Sequence, residues 1–272
     1  MFKMFSWQFL LAGKFQNSIM KRTKRITLIR QVRHRLKYTA FVRFIGSLFF
    51  NGLTIKRTEP VVWQFLYRNV KPGWKCADIG ANRGEFTLLM AKRVMSSGLV
   101  YAFELYPKNV LLLQSNLWRY RHRVKVENFA VTDGSTQFVD VFAGRNCSDA
   151  EWHIMGYYAT DKQMNAEFRV RATSLDDYFA SGTAIDLVKI DVEGAAPAVL
   201  AGMARILRQA RPIIIIEFHN DSEWAGKKHL EEVDYALYNL KGEKLQAAED
   251  QVFHCVALPK ECQPSAYFAE RF

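Results

Sequence analysis

No Asp or Glu precedes Glu59, although thirteen of the 38 Lys and Arg lie between Lys3 and Arg57. The remaining 25 basic residues face 27 acidic ones, a formal charge of −2, so the net charge of +11 belongs to an N-terminal arm, residues 1–57, and not to residues 58–272. Cysteine is scarce as well. Cys76, Cys147, Cys255 and Cys262 show no Cys-x-x-Cys spacing and no His at zinc-ligand intervals, which argues against a zinc ribbon or a disulfide scaffold and fits a reducing cytoplasm. No window approaches the roughly 20 apolar residues of a membrane span. The apolar stretch 5–12 is short and has no small-residue cleavage site, so no export signal is read. Internal repeats and low-complexity tracts are missing too. At 272 residues, 49% hydrophobic and 24% charged, the chain has material for one α/β domain with a buried core and an appendage.

The arm alternates aromatic and basic clusters, and Phe41, Phe44, Ile45, Leu48 and Phe49 follow the spacing of an amphipathic helix. It reads as a basic helical arm. One use for it is packing on its own domain with its charges in water. Another is docking on an anionic membrane surface, since Phe2, Phe5, Trp7 and Phe9 beside Lys3 and Lys14 supply the two faces an interfacial helix needs. Charge alone suits lipid, nucleic acid or an acidic glycan equally.

From residue 60 onward, short apolar runs alternate with helical patterns, as in a mostly parallel, doubly wound Rossmann-like sheet covered on both faces. The runs predict strands at 75–79, 99–104, 124–128, 186–190 and 213–218, helices over 85–94 and 195–207, an antiparallel pair at 137–142 and 167–171, and a long loop over 147–164. Trp152, His153 and Tyr157 in that loop are candidates for choosing a substrate.

Four clusters carry chemistry. The first, Asp78-Ile-Gly80-Ala81-Asn82-Arg-Gly84-Glu-Phe-Thr87, leaves a strand and opens a helix, so Gly80 and Gly84 would let a ligand approach the backbone. The second is Glu104, at the tip of the next strand and 20 residues after Gly84, where a carboxylate accepts from ribose hydroxyls. The turn reads Asp-x-Gly-x-x-x-Gly and not Gly-x-Gly-x-x-Gly. It therefore suits a donor without a pyrophosphate, S-adenosyl-L-methionine, better than NAD. Third, the apolar strand to Ile190 ends in Asp191-Val-Glu193-Gly, two acids facing the crevice or capping the next helix. Fourth, Ile213–Ile216 ends in Glu217-Phe218-His219-Asn220, and alternation puts Glu217 and His219 on one side of the strand.

Together these clusters, with Asn128-Phe129-Ala-Val131 and Thr173-Ser-Leu-Asp-Asp177, resemble the FkbM family of class I methyltransferases over residues 73–258. The resemblance implies an S-adenosylmethionine-dependent O-methyltransferase acting on a hydroxyl of a sugar, glycan or small natural product. It implies that Asp78, Gly80, Asn82, Gly84 and Glu104 hold the cofactor, with Ala81 and Asp191 beside it and Asn128 and Phe129 near the adenine. Ala196 departs from the family, which usually carries Glu there. A base is useful for a neutral hydroxyl, and His219, Glu193 and Asp191 are the candidates, His219 preferred. A Mg²⁺ site on Asp191, Glu217 and His219 is the alternative way to activate the acceptor.

Two rivals remain. An RNA ribose methyltransferase would use the basic arm and the run Arg119, Arg121, Arg123 and Lys125, although the Asp-Val-Glu-Gly motif is unlike that of enzymes acting on base nitrogens. A non-catalytic scaffold for glycan assembly at the inner face of the membrane is the other. For the anchored enzyme, purified protein is expected to sediment with anionic vesicles and to stay in the supernatant once residues 1–57 are deleted; equal sedimentation of both forms removes the anchor.

Overall fold

A computed structural model describes residues 59–143, 152–154, 168–245 and 253–268, with only the backbone of 142–143 and 152–154. The basic arm therefore lies outside the described residues, as does Tyr157, and so do the side chains of Trp152 and His153. Helix α1, Pro60–Asn69, starts with proline at its first turn behind Glu59. In chain order there follow β1 (Lys75–Ile79), α2 (Glu85–Arg93), β2 (Leu99–Phe103), α3 (Pro107–Asn116), β3 (Val124–Glu127), β4 (Ala130–Val131), β5 (Phe138–Ala143), β6 (Trp152–Ile154), β7 (Phe168–Thr173) and α4 (Leu175–Tyr178). Then come β8 (Leu187–Ile190), α5 (Ala196–Ala201), α6 (Ala204–Gln209), β9 (Ile213–Glu217), α7 (Asp221–Trp224), α8 (Lys228–Glu231), β10 (Tyr235–Asn239), β11 (His254–Pro259) and α9 (Ser265–Phe268).

Seven strands form one twisted sheet in the order β10-β11-β9-β8-β1-β2-β3. Every pairing is parallel except the two made by β11. This is a doubly wound, Rossmann-like sheet, mostly parallel as the alternation of short apolar runs and helical patterns predicts. All five predicted parallel strands are present, β2, β3 and β9 each ending one residue early. The run Ile213–Ile216 shows why such strands carry no polar face. Ile214 and Ile216 join the core cluster under α5 and α6, whereas Ile213 and Ile215 join the cluster under α1 and α2. A strand covered on both sides must be apolar on both. No helix among the described residues is long and apolar enough to cross a membrane.

Two expectations are corrected. The segment 147–164 is not all loop, because Trp152–Ile154 pairs antiparallel with β5, Val141 level with Ile154. The resulting small sheet, β4-β7-β5-β6, closes a third apolar cluster in which Val141 and Val170 meet Ala195 and Val192. It thus packs on the segment that leaves β8. The helix expected over 195–207 is broken into α5 and α6 at Gly202. A Cβ there would stand 2.0 Å from the carbonyl oxygen of Thr132, just past β4. Helix periodicity registers the apolar face but not a backbone pressed against it.

Gly202 has an ordinary helical-side φ of −75°, so Gly202→Ala tests that contact with no dihedral penalty. Urea unfolding is expected to show a loss of about 1–3 kcal/mol, typical of overpacking. An unchanged midpoint would mean that the strand-to-helix approach yields freely.

Candidate functional site

The carboxyl edge of the large sheet is flush. Ile79 lies level with Phe103 and Ile190, Phe103 with Glu127, and Ile190 with Ile216. The next residue of each strand therefore falls in one row: Asn128, Glu104, Gly80, Asp191 and Glu217. His254, the first residue of β11, is paired with Glu217 at its end. Register alone gathers residues that are scattered over more than half of the chain.

In one half of the row, a cleft is lined by Gly80, Asn82, Glu104, Asn109, Phe129 and Asp191, with apolar walls from Ile79, Phe103, Val131 and Val192. Glu104 is buried, and its two carboxylate oxygens accept from the amides of Tyr106 at 2.8 Å and Asn82 at 2.7 Å. Burial pushes Glu104 up to about 7, while these two amides pull it down. Asn82 sits in the left-handed region, φ 49°, which turns its amide to Glu104 and leaves its side-chain oxygen to accept from Asn109 Nδ2 at 3.2 Å. Asn128 does not line the cleft; its Nδ2 donates to the carbonyls of Glu104 and Leu105 at 2.8 and 2.9 Å and holds the β2 exit in place. Phe129 does line it, with the Arg171 guanidinium 5.0 Å from the ring centroid.

The glycines and Asp78 also have a reason within the protein's own packing. A Cβ on Gly80 would lie 1.8 Å from the carbonyl oxygen of Asp191, and one on Gly84 2.5 Å from Leu113 of α3. Gly80 lines the cleft, yet in both cases the atoms that exclude a side chain are the protein's own. Ala81 and Asp78 are buried, and neither is among the cleft-lining residues. Asp78 accepts from Thr87 Oγ1 at 2.5 Å; burial raises its pKa, and Lys189 opposes that.

The other half of the row is densely charged. Lys189 is fully buried, and its ammonium lies 2.7 Å from Asp191 Oδ2. Burial works against the lysine's charge, but Asp191 and Asp78 outweigh it and raise its pKa. Burial would likewise raise Asp191, and Lys189 overturns that to a lowered pKa. His219 Nδ1 lies 3.2 Å from Glu223, a side chain only 1% exposed, and Nε2 faces Glu217 at 3.4 Å and Glu193 at 3.6 Å. The Glu223 contact leads in lifting His219 to about 9. His254 Nε2 contacts Glu59 at 3.0 Å and Glu217 at 2.6 Å. Burial opposes its charge, yet these two carboxylates hold it near 9. Burial raises Glu217 to about 7.

The structure thus brings together His219, Asp191, Glu193 and Glu217 as expected. Asp191 and Glu193 do not cap the following helix, whose N-cap is Ala195 with no side-chain bond. Glu223, Lys189, Asn109, Glu59 and His254 were missed. Glu223 had a signal: Asn220-x-x-Glu223 is a capping box. Asn220 Oδ1 accepts from the Glu223 amide, and the Glu223 carboxylate reaches back to the amide of His219.

The cleft fits S-adenosylmethionine. Glu104 offers lone pairs beyond those its two amides use, Phe129 offers a ring to an aromatic base, and Asp191 offers a carboxylate to an ammonium. The family profile described as methyltransferase FkbM domain matches residues 78–245. No curated protein is found to match. Among solved structures, an FkbM methyltransferase from Methylobacillus flagellatus KT is 18% identical with a TM-score of 0.45, over 68% of this chain and 43% of that one. A SAM-dependent O-methyltransferase from Thermotoga maritima is 14% identical with a TM-score of 0.44, over 76% and 66%. The fibrillarin of Aeropyrum pernix with bound S-adenosyl-L-methionine is 11% identical with a TM-score of 0.42, over 70% and 67%. The chain therefore spans less than half the length of the M. flagellatus protein.

Because Glu104 titrates near 7, lowering the pH protonates it and removes an acceptor from the cleft. Calorimetric affinity for S-adenosylmethionine is expected to weaken about tenfold from pH 8 to pH 6, with Glu104→Gln weak and flat throughout. A wild-type affinity that is constant over this range sinks the assignment of Glu104 to the donor.

Proposed function

We propose that this chain, a member of the FkbM methyltransferase domain family, is an S-adenosylmethionine-dependent methyltransferase that methylates a hydroxyl of a sugar, glycan or small natural product, with His219 as the general base. The observation that carries this reading is the His219–Glu223 pair. Glu223, buried and 3.2 Å from Nδ1, fixes the ring and favours the tautomer whose lone pair is on Nε2. That nitrogen faces the acidic side of the row.

S-adenosylmethionine, when bound, supplies an electrophilic methyl group on a cationic sulfonium. Glu104, Asn82 and Asn109 hold the donor's polar groups, Gly80 and Asp78 shape the turn, and Phe129 flanks the base. Asp191 and Glu193 orient acceptor hydroxyls, and His219 Nε2 takes the proton of the reacting one. A cation in the cleft favours the neutral imidazole that this step needs. Held geometry supplies much of the remaining acceleration.

The charge of the site supports a neutral polyol over RNA. Glu59, Glu104, Asp191, Glu193, Glu217 and Glu223 cluster at or beside the row, and a polyanion would meet them at close range. The basic run also stacks on itself, Arg121 at 4.5 Å from the Trp118 centroid and Arg123 at 5.9 Å from that of Tyr120. Mg²⁺ on Asp191, Glu217 and His219 fits poorly. The donor atoms do lie within 4.8 Å of one another, but Lys189 already neutralises Asp191 and one donor is an imidazole, whereas Mg²⁺ wants oxygen ligands. Residues 1–57 would keep this enzyme peripheral on the inner face of an anionic membrane.

The test is transfer of a labelled methyl from S-adenosylmethionine to a panel of hydroxylated sugars and glycans. His219→Asn is expected to lower kcat by about 100-fold or more, and Glu223→Gln by about tenfold, with donor affinity unchanged in both. Full activity in His219→Asn overturns the base, and a methyl recovered on nitrogen or on RNA overturns the acceptor class.

A further inference from the structure

One proton cannot serve both carboxylates at His254. The imidazole makes its hydrogen bond from Nε2 to Glu59 Oε2 at 3.0 Å. Glu217 Oε1 approaches the same nitrogen to 2.6 Å, yet it has no aligned hydrogen-bond partner, on a side chain only 4% exposed. A buried carboxylate oxygen pressed against a nitrogen whose hydrogen points elsewhere is unfavourable. The three donor atoms come from the start of α1, the end of β9 and the start of β11, and all lie within 4.8 Å of one another. One divalent cation between them satisfies all three at once.

We propose that Glu59, Glu217 and His254 bind a divalent first-row transition metal, a structural site separate from the donor cleft. One imidazole nitrogen with two carboxylate oxygens suits Zn²⁺ or Mn²⁺ and not Mg²⁺ or Ca²⁺, which prefer oxygen throughout. The ion takes the place of the imidazole proton, which leaves to solvent, and the neutral His254 gives its Nε2 lone pair to the metal. At bonds of about 2.0–2.2 Å the ligand atoms stand about 3.3 Å apart, so the contacts at 3.0 and 2.6 Å open by about 0.3 and 0.7 Å. The neighbouring trio of Asp191, Glu217 and His219 is less suited, because Lys189 holds Asp191 and Glu223 and Glu193 flank His219. The ion would tie Glu59 to His254 across 195 residues of chain, two residues beyond the end of the basic arm.

The experiment is calorimetric titration of the full, metal-stripped protein with Zn²⁺, Mn²⁺ and Mg²⁺ separately, with thermal unfolding at each end point. One Zn²⁺ or Mn²⁺ per chain is expected, with a raised unfolding temperature and no response to Mg²⁺. Glu59→Gln and His254→Asn are expected to weaken binding at least 30-fold, while His219→Asn keeps it. Circular dichroism and donor binding confirm that each variant is folded; Glu59, only partly buried, allows the decision even where His254→Asn does not fold. No binding by the wild type overturns the proposal, as does binding that survives Glu59→Gln and is lost in His219→Asn.

Discussion

A lysine ammonium buried inside the sheet sets the terms for the whole site. Lys189 lies in the middle of the sheet, 2.7 Å from Asp191 Oδ2, level with Asp78 on β1 and with its ammonium 4.7 Å from the Phe86 ring centroid. In a low-dielectric interior such a charge persists only beside anions, and the anions persist only beside it. Lys189 stands between the carboxylate under the glycine turn and those at the ends of β8 and β9. One buried cation therefore lets three neighbouring strands end in acids, and the crevice chemistry is built on that allowance.

The flush register converts this electrostatic arrangement into a division of labour. Toward β3 the row is polar but quiet: Asn128 holds backbone, Glu104 is held by two amides, and the walls are apolar. Toward β11 it is crowded with opposing charges in contact. Gly80 and Asp191 meet at the boundary, so close that a single Cβ would break the seam. One continuous edge thus offers two kinds of recognition, apolar enclosure on one side and carboxylates on the other.

Much of this was legible in the sequence because it is local. Apolar runs such as Ile213–Ile216 announce strands covered on both faces, and the polar residues that follow them announce the crevice. Glu104, Asp191, Glu193, Glu217 and His219 were found that way. What escaped depends on contacts between distant parts of the chain. Glu59 meets His254 across 195 residues, and no spacing rule connects them. The break at Gly202 is set by Thr132, 70 positions earlier. Tyr235–Asn239 and His254–Pro259 were not read as strands, since their partners are each other and β9 and not sequential neighbours in a βα repeat. Lys189 lies within a run read as an apolar strand, and its burial is a property of the sheet. Glu223 alone was missed without such an excuse, for its capping box is written in four consecutive residues.

The position of β11 has a consequence for how the protein comes into being. It follows β9 and β10 in the chain, yet it lies inside the sheet, between them. Until the ribosome has released residues 254–259, the all-isoleucine face of β9 has an open edge, which invites pairing with another chain. The donor cleft, assembled from residues 79–131 and 191–195, can form well before then. Any ligand bound in that cleft on a nascent chain still lacking His254 would stabilise a half-built sheet during its most vulnerable interval.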